Sequence, residues 1–119
     1  MDILLVDDSK TMRMLVLRAI RQAGFRSLTV AEAENGADAL GQLKSAKPKL
    51  ILSDWNMPEM SGIDFLAQVR QTYGAIPFGF ITAEVSAQIK ETAMASGATF
   101  IITKPFAVDD VQAAIDPIL

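Results

Sequence analysis

Five short apolar runs, each followed by a stretch of helical periodicity, constrain this 119-residue chain more than any other feature. "ILLV" (3–6) is continuous and apolar, as expected of a strand covered on both faces. Behind it, Met12, Leu15, Val16, Ala19, Ile20 and Ala23 recur at helical spacing, with Arg13, Arg18 and Arg21 off that stripe. Gly24 then stands where a helix C-terminus takes a positive φ. The alternation continues with strands at "LTVAEA" (28–33), "KLILS" (49–53), "IPFGFIT" (76–82) and "TFIIT" (99–103). Helices are expected at "GADALGQLKSA" (36–46), "GIDFLAQVRQT" (62–72), "VSAQIKETAMAS" (85–96) and "AVDDVQAAIDPIL" (107–119), with Pro117 fraying the last. Such alternation predicts an α/β domain, a parallel sheet with helices on both faces. Right-handed crossovers narrow the topology to the doubly wound five-stranded order 2-1-3-4-5. Ligands of such sheets sit outside the carboxyl ends of the strands, where strands one and three part.

The residues at those ends define the chemistry. Asp7 and Asp8 close strand one, and Asp54 closes strand three, directly after Ser53. Thr82 ends strand four, and Thr103 ends strand five ahead of Lys104 and Pro105. A lone buried carboxylate is costly, and three together should repel and raise one another's pKa. A divalent cation removes the conflict. The chain has no His and no Cys, which leaves oxygen ligands and favours a hard ion, Mg²⁺. A lysine ammonium and a threonine hydroxyl, Lys104 and Thr82, stand on the other side of Asp54 and suit phosphoryl oxygens. Asp54 lies between the two groups and is the natural nucleophile, forming an acyl phosphate.

Each residue alone has a plainer role. Asp7 or Asp8 would cap the first helix, and Thr82 the fourth. Lys104 would be a solvated lysine, Pro105 the first residue of a helix, and Gly62 a turn residue in "EMSG". Trp55 is a partly exposed aromatic beside the crevice. Their joint placement at four strand ends favours the chemical reading.

The balance of 14 acidic against 11 basic side chains gives a charge of -3, which argues against a nucleic-acid partner. No apolar run reaches a membrane span. Because "MDILLVDD" runs straight into the first expected strand, no leader is expected. The expectation is a single cytoplasmic domain over 1–119.

"LLVDDSKTMR", "AENGADAL", "LILSDWNMPEMSGIDFL", "FITAE" and "GATFIITKPF" together resemble the receiver domain of two-component response regulators, especially the single-domain chemotaxis (CheY-like) type. The resemblance implies a flavodoxin-like fold with Asp54 as phospho-acceptor. It implies that Asp8, Asp54 and the backbone carbonyl of Asn56 ligate Mg²⁺, with Asp7 acting through water. Thr82 and Lys104 would contact the phosphoryl oxygens, and the Lys104-Pro105 bond would be cis. Asn56 and Glu84 would flank the attacking water and set the lifetime of the signal; the plainer alternative is two solvated polar residues. The donor would be a phosphohistidine on a sensor histidine kinase, and the targets a flagellar motor switch protein or a phosphatase. The chain would be a monomeric signalling protein without an output domain, and not an enzyme acting on a separate substrate. The family's inward-turning aromatic, three residues before the lysine, is Ile101 here. Phe100 should point to the opposite face, so coupling to the fourth helix, fifth strand and fifth helix is expected to be weaker or altered.

Three other readings compete. One is a stand-alone receiver in a non-chemotaxis phosphorelay. Another is an Asp-nucleophile phosphohydrolase, which needs an acid two residues after the nucleophile, where this chain has Asn56. The third is a flavodoxin-like cofactor binder, whose phosphate would meet the charges of Asp7 and Asp8.

Overall fold

The computed structural model describes residues 1–84 and 86–119. Among the described residues ten elements alternate: β1 (Ile3–Val6), α1 (Lys10–Gln22), β2 (Val30–Ala33), α2 (Gly36–Leu43), β3 (Leu50–Ser53), α3 (Gly62–Tyr73), β4 (Phe78–Thr82), α4 (Ala87–Ala95), β5 (Phe100–Thr103) and α5 (Val108–Ile115). All neighbouring strands pair in parallel, in the order β2-β1-β3-β4-β5. This is the expected topology. Val6 lies opposite Ser53, and Thr82 opposite Thr103, so Asp7, Asp54 and Lys104 emerge from one rim of the sheet.

Strand periodicity sorts the core into two slabs. Ile3, Leu5, Leu50, Leu52, Ile81 and Ile102 face α1 and α5, where Val16, Ile20, Val111 and Ile115 cover them. Leu4, Val6, Ile51, Phe78 and Phe80 face the other way, onto Leu43 of α2, Phe65 and Leu66 of α3, and Ala93 of α4. Phe100 belongs to the first slab and Ile101 to the second, so the two point to opposite faces as expected. Gly79 makes room for this. A Cβ there would collide with the Phe100 ring beside it.

Several elements are shorter than their apolar patterns. Residues 28 and 29 are not strand. Thr29 N–H donates to the Asp2 carboxylate at 2.8 Å, a side-chain clasp in place of a strand bond, while its carbonyl accepts from Asp2 N–H at 2.8 Å and Ile3 N–H at 3.1 Å. Lys49 likewise bonds to the Asp2 carbonyl ahead of β3. Pro77 has no N–H to give a ladder, and β4 starts after it. α2 ends at Leu43 and not at residue 46, the chain closing through Ser45 and Ala46 N–H to the Gln42 carbonyl. α5 stops at Ile115, and Pro117 lies past its end. The expected start of the fourth helix at Val85 lies outside the described residues, and α4 is capped by Ser86.

Candidate phosphoryl-acceptor and metal site

The rim of the sheet brings together what the strand ends promised. One carboxylate oxygen each from Asp7, Asp8 and Asp54 lies within 4.8 Å of the others. Lys104 Nζ is 3.5 Å from Asp7 Oδ2 and 3.5 Å from Asp54 Oδ2. The lysine therefore sits between two of the acids, and not on a separate far side as the sequence suggested. Its side chain is 15% exposed, which rules out the freely solvated alternative.

The plainer roles fall to other residues. Ser9 caps α1, its Oγ accepting from Met12 N–H at 3.2 Å, so neither Asp7 nor Asp8 does. Thr82 is buried and does not cap α4; its Oγ1 accepts from Glu84 N–H at 3.1 Å, which leaves the hydroxyl proton to donate. Pro105 follows the expected cis bond and precedes α5, which begins at Val108. Gly62 corrects its reading. Its φ is not positive, and the left-handed residue of the preceding turn is Glu59, φ 68°. Gly62 is glycine because a Cβ would run into the Asp54 carbonyl oxygen and lie 2.9 Å from the Phe80 ring. Its N–H donates to the Trp55 carbonyl at 2.7 Å, tying α3 to the Asp54 loop.

Asp54 is oriented by its own neighbours. Trp55 N–H donates to Asp54 Oδ1 at 2.7 Å, which leaves Oδ2 facing Lys104. The half-buried indole packs on Phe80 at 4.9 Å between centroids. At the mouth, the exposed pair Asn56 and Glu84 meet, Asn56 Nδ2 donating to Glu84 Oε1 at 3.1 Å.

Asp7 is 4% exposed. Burial pushes its carboxyl above the ordinary value, opposed by the hydrogen bond from Ser9 N–H. Asp54 and Asp8 push it further up and Lys104 pulls it down. Mutual repulsion is thus real at Asp7 but comes second to desolvation.

The donor set suits a hard divalent cation. All three side chains offer oxygen, and with Lys104 the cluster keeps two net negative charges when ionised, three acids against one ammonium. An octahedral ion with ligands at about 2.1 Å has its oxygens roughly 3–4.2 Å apart, a small contraction of the spacing seen. One group that the sequence did not single out also reaches the site. Arg13 Nη1 donates to the Asp7 carbonyl at 2.6 Å, while its Nε pairs with Glu32 at 3.0 Å. Its only sequence signal was a place off the apolar stripe of α1.

Residues 3–116 match the model of the response regulator receiver domain. The chemotaxis protein CheY1 of Helicobacter pylori is 35% identical over 100% of this chain and 97% of its own length. Chemotaxis protein CheY-3 of Vibrio cholerae is 40% identical over 99% and 91%. The crystal structure of Vibrio cholerae chemotaxis protein CheY4 superposes with a TM-score of 0.87 at 34% identity, covering 98% of this chain and 97% of that one. The chain belongs to the response regulator receiver domain family. Within it, similarity along the full length is to chemotaxis proteins of the CheY type, and the chain is a CheY-like receiver.

Proposed function

We propose that the chain is a Mg²⁺-dependent phospho-acceptor switch of a two-component chemotaxis system, phosphorylated on Asp54 and signalling by exchange of partners. The observation that carries this reading is Asp54 at the tip of β3, one oxygen held by the Trp55 amide and the other turned to Lys104 beside Asp7 and Asp8.

The chemistry follows from those placements. Asp54 Oδ2 attacks the phosphorus of a phosphohistidine on a sensor kinase; the new O–P bond forms as the N–P bond breaks and the imidazole takes up a proton. Lys104 meets the charge carried by the transferred oxygens, and the Thr82 hydroxyl donates to one of them. Asp8, Asp54 and the backbone carbonyl of Asn56, with Asp7 through water, would hold Mg²⁺, whose charge offsets that of the group in flight. Asn56 and Glu84, already bonded to each other, flank the path of the water that later hydrolyses the acyl phosphate. Phosphorylation replaces the single negative charge of Asp54 with a phosphoryl group carrying about two, a net gain of about one at the rim, and the partner reading that change would be a flagellar motor switch protein or a phosphatase in the cytoplasm.

Ile101 favours a second reading. It packs inward beside the Phe80 slab without the hydroxylated ring that the chemotaxis type carries there, which suits a receiver in another phosphorelay. Both readings share the site and differ only in the target.

Trp55 is the sole tryptophan and adjoins Asp54, so its emission tests the site. Mg²⁺ should change it, and acetyl phosphate should change it again. Asp54→Asn should remove the second response. Mass spectrometry that finds no labile phosphate on Asp54 after donor treatment would reject the proposal.

A further inference from the structure

We infer that Arg13 is a positioning residue, which fixes the peptide between Asp7 and Asp8 and so aims both carboxylates at one cation. The inference rests on the proposed Mg²⁺ site and assigns a further residue to it.

Every polar group of Asp7 has a partner. Its N–H donates to the Ala33 carbonyl at 3.1 Å, Oδ1 accepts from Ser9 N–H at 2.9 Å, and Oδ2 faces Lys104. The remaining group, the carbonyl oxygen, is taken by Arg13 Nη1. That carbonyl belongs to the rigid peptide plane whose other end is Asp8 N. Fixing it sets the direction in which the chain leaves Asp7, and with it where the exposed Asp8 carboxylate can reach. No carboxylate oxygen is used up in doing so.

Helix stability does not account for this arginine. It sits one turn into α1, at the positive end of the helix dipole, where a cation is unfavourable, and the first turn has no acidic residue to offset it. Glu32 on β2 supplies the counter-charge instead. The guanidinium side chain is 13% exposed. Its planar fork serves Glu32 through Nε and the Asp7 carbonyl through Nη1 at once, a geometry a lysine cannot copy. Arg13 therefore bridges α1, the tip of β1 and the edge strand β2. Groups that hydrogen-bond to metal-binding residues and hold them in place typically change metal affinity about 10- to 100-fold when removed.

The test uses the full chain, at a temperature where circular dichroism shows each variant folded. Trp55 emission is titrated with Mg²⁺ in wild type, Arg13→Ala, Glu32→Gln and the double variant. Arg13→Ala should bind Mg²⁺ about tenfold or more weakly. Glu32→Gln should weaken binding less, and the double variant should match Arg13→Ala. In the metal-free proteins, the amide resonances of Asp7, Asp8 and Ser9 should move in Arg13→Ala, a readout independent of the ion. Wild-type protein that ignores Mg²⁺ defeats the proposed site and not this inference. Unmoved amides at residues 7–9, or wild-type Mg²⁺ affinity in a folded Arg13→Ala, overturn the inference. A variant that only unfolds at lower temperature, with affinity and amides unchanged, is the structural outcome and overturns it too.

Discussion

Asp7 shows how a single side chain is shaped by opposing demands. Because burial holds its carboxyl above the ordinary value, the folded state prefers it protonated. That preference is fully present below the unfolded pKa, close to 3.8, and is lost as pH rises through the folded value. At neutral pH the ionised group therefore weighs against folding. Asp7→Asn should raise the thermal midpoint of the metal-free protein at pH 7, with the gain shrinking towards pH 4; scans in chelator at both pH values check this. Gly62 makes the complementary point, since its space is already taken by the Asp54 carbonyl and the Phe80 ring. Gly62→Ala should destabilise by about 1–3 kcal/mol in urea unfolding and slow phosphorylation of Asp54 by shifting its loop. Of these roles, the sequence carried only part. Acids at strand ends are legible because strand ends are legible. The pairing of Lys104 with two of them, the Arg13 contact and the left-handed Glu59 are not, since each depends on the distance between segments that sequence spacing does not encode.

The elements were legible in kind and blurred in extent, and the blur has one cause. Thr29 and Lys49 fall at the ends of apolar strand patterns, yet their N–H groups bond to the Asp2 carboxylate and the Asp2 carbonyl, outside the strands proper. Apolar patterning reports which face is buried, whereas strand ends are set by where hydrogen-bond partners run out. Caps follow the local code more faithfully. Ser9, Asn35, Ser61 and Ser86 each accept from the backbone N–H three residues on. The exception is α5. Ala107 is its extended N-cap with no acceptor, while Asp110 Oδ2 already reaches back to Ala107 N–H at 2.9 Å. Half of a capping box is in place. Ala107→Ser should complete it and stabilise the protein by about 0.5–1 kcal/mol, measured by chemical denaturation. Ser61→Ala should cost about 1 kcal/mol at the head of α3.

At the scale of the whole molecule, sheet order converts five separate strand ends into one rim, and that conversion was foreseeable because parallel crossovers admit few arrangements. A cation bound there should stabilise the entire fold through mass action. At a Mg²⁺ concentration one hundred times the dissociation constant, the gain should be about 2.7 kcal/mol. Calorimetry with and without Mg²⁺ should show it in wild type and lose most of it in Asp8→Asn, whose exposed side chain contributes little packing. Among the described residues no helix is long and apolar enough to cross a membrane. The position of Lys104 bears on how that rim behaves between signals. Its ammonium reaches Asp7 and Asp54 from just past the end of β5, whereas those acids follow β1 and β3. The molecule thus carries a tethered placeholder that any incoming ion must nudge aside. Lys104→Met should tighten Mg²⁺ binding while disabling phosphoryl capture. On the proposed function, the native lysine trades ionic appetite for readiness to meet a phosphoryl group.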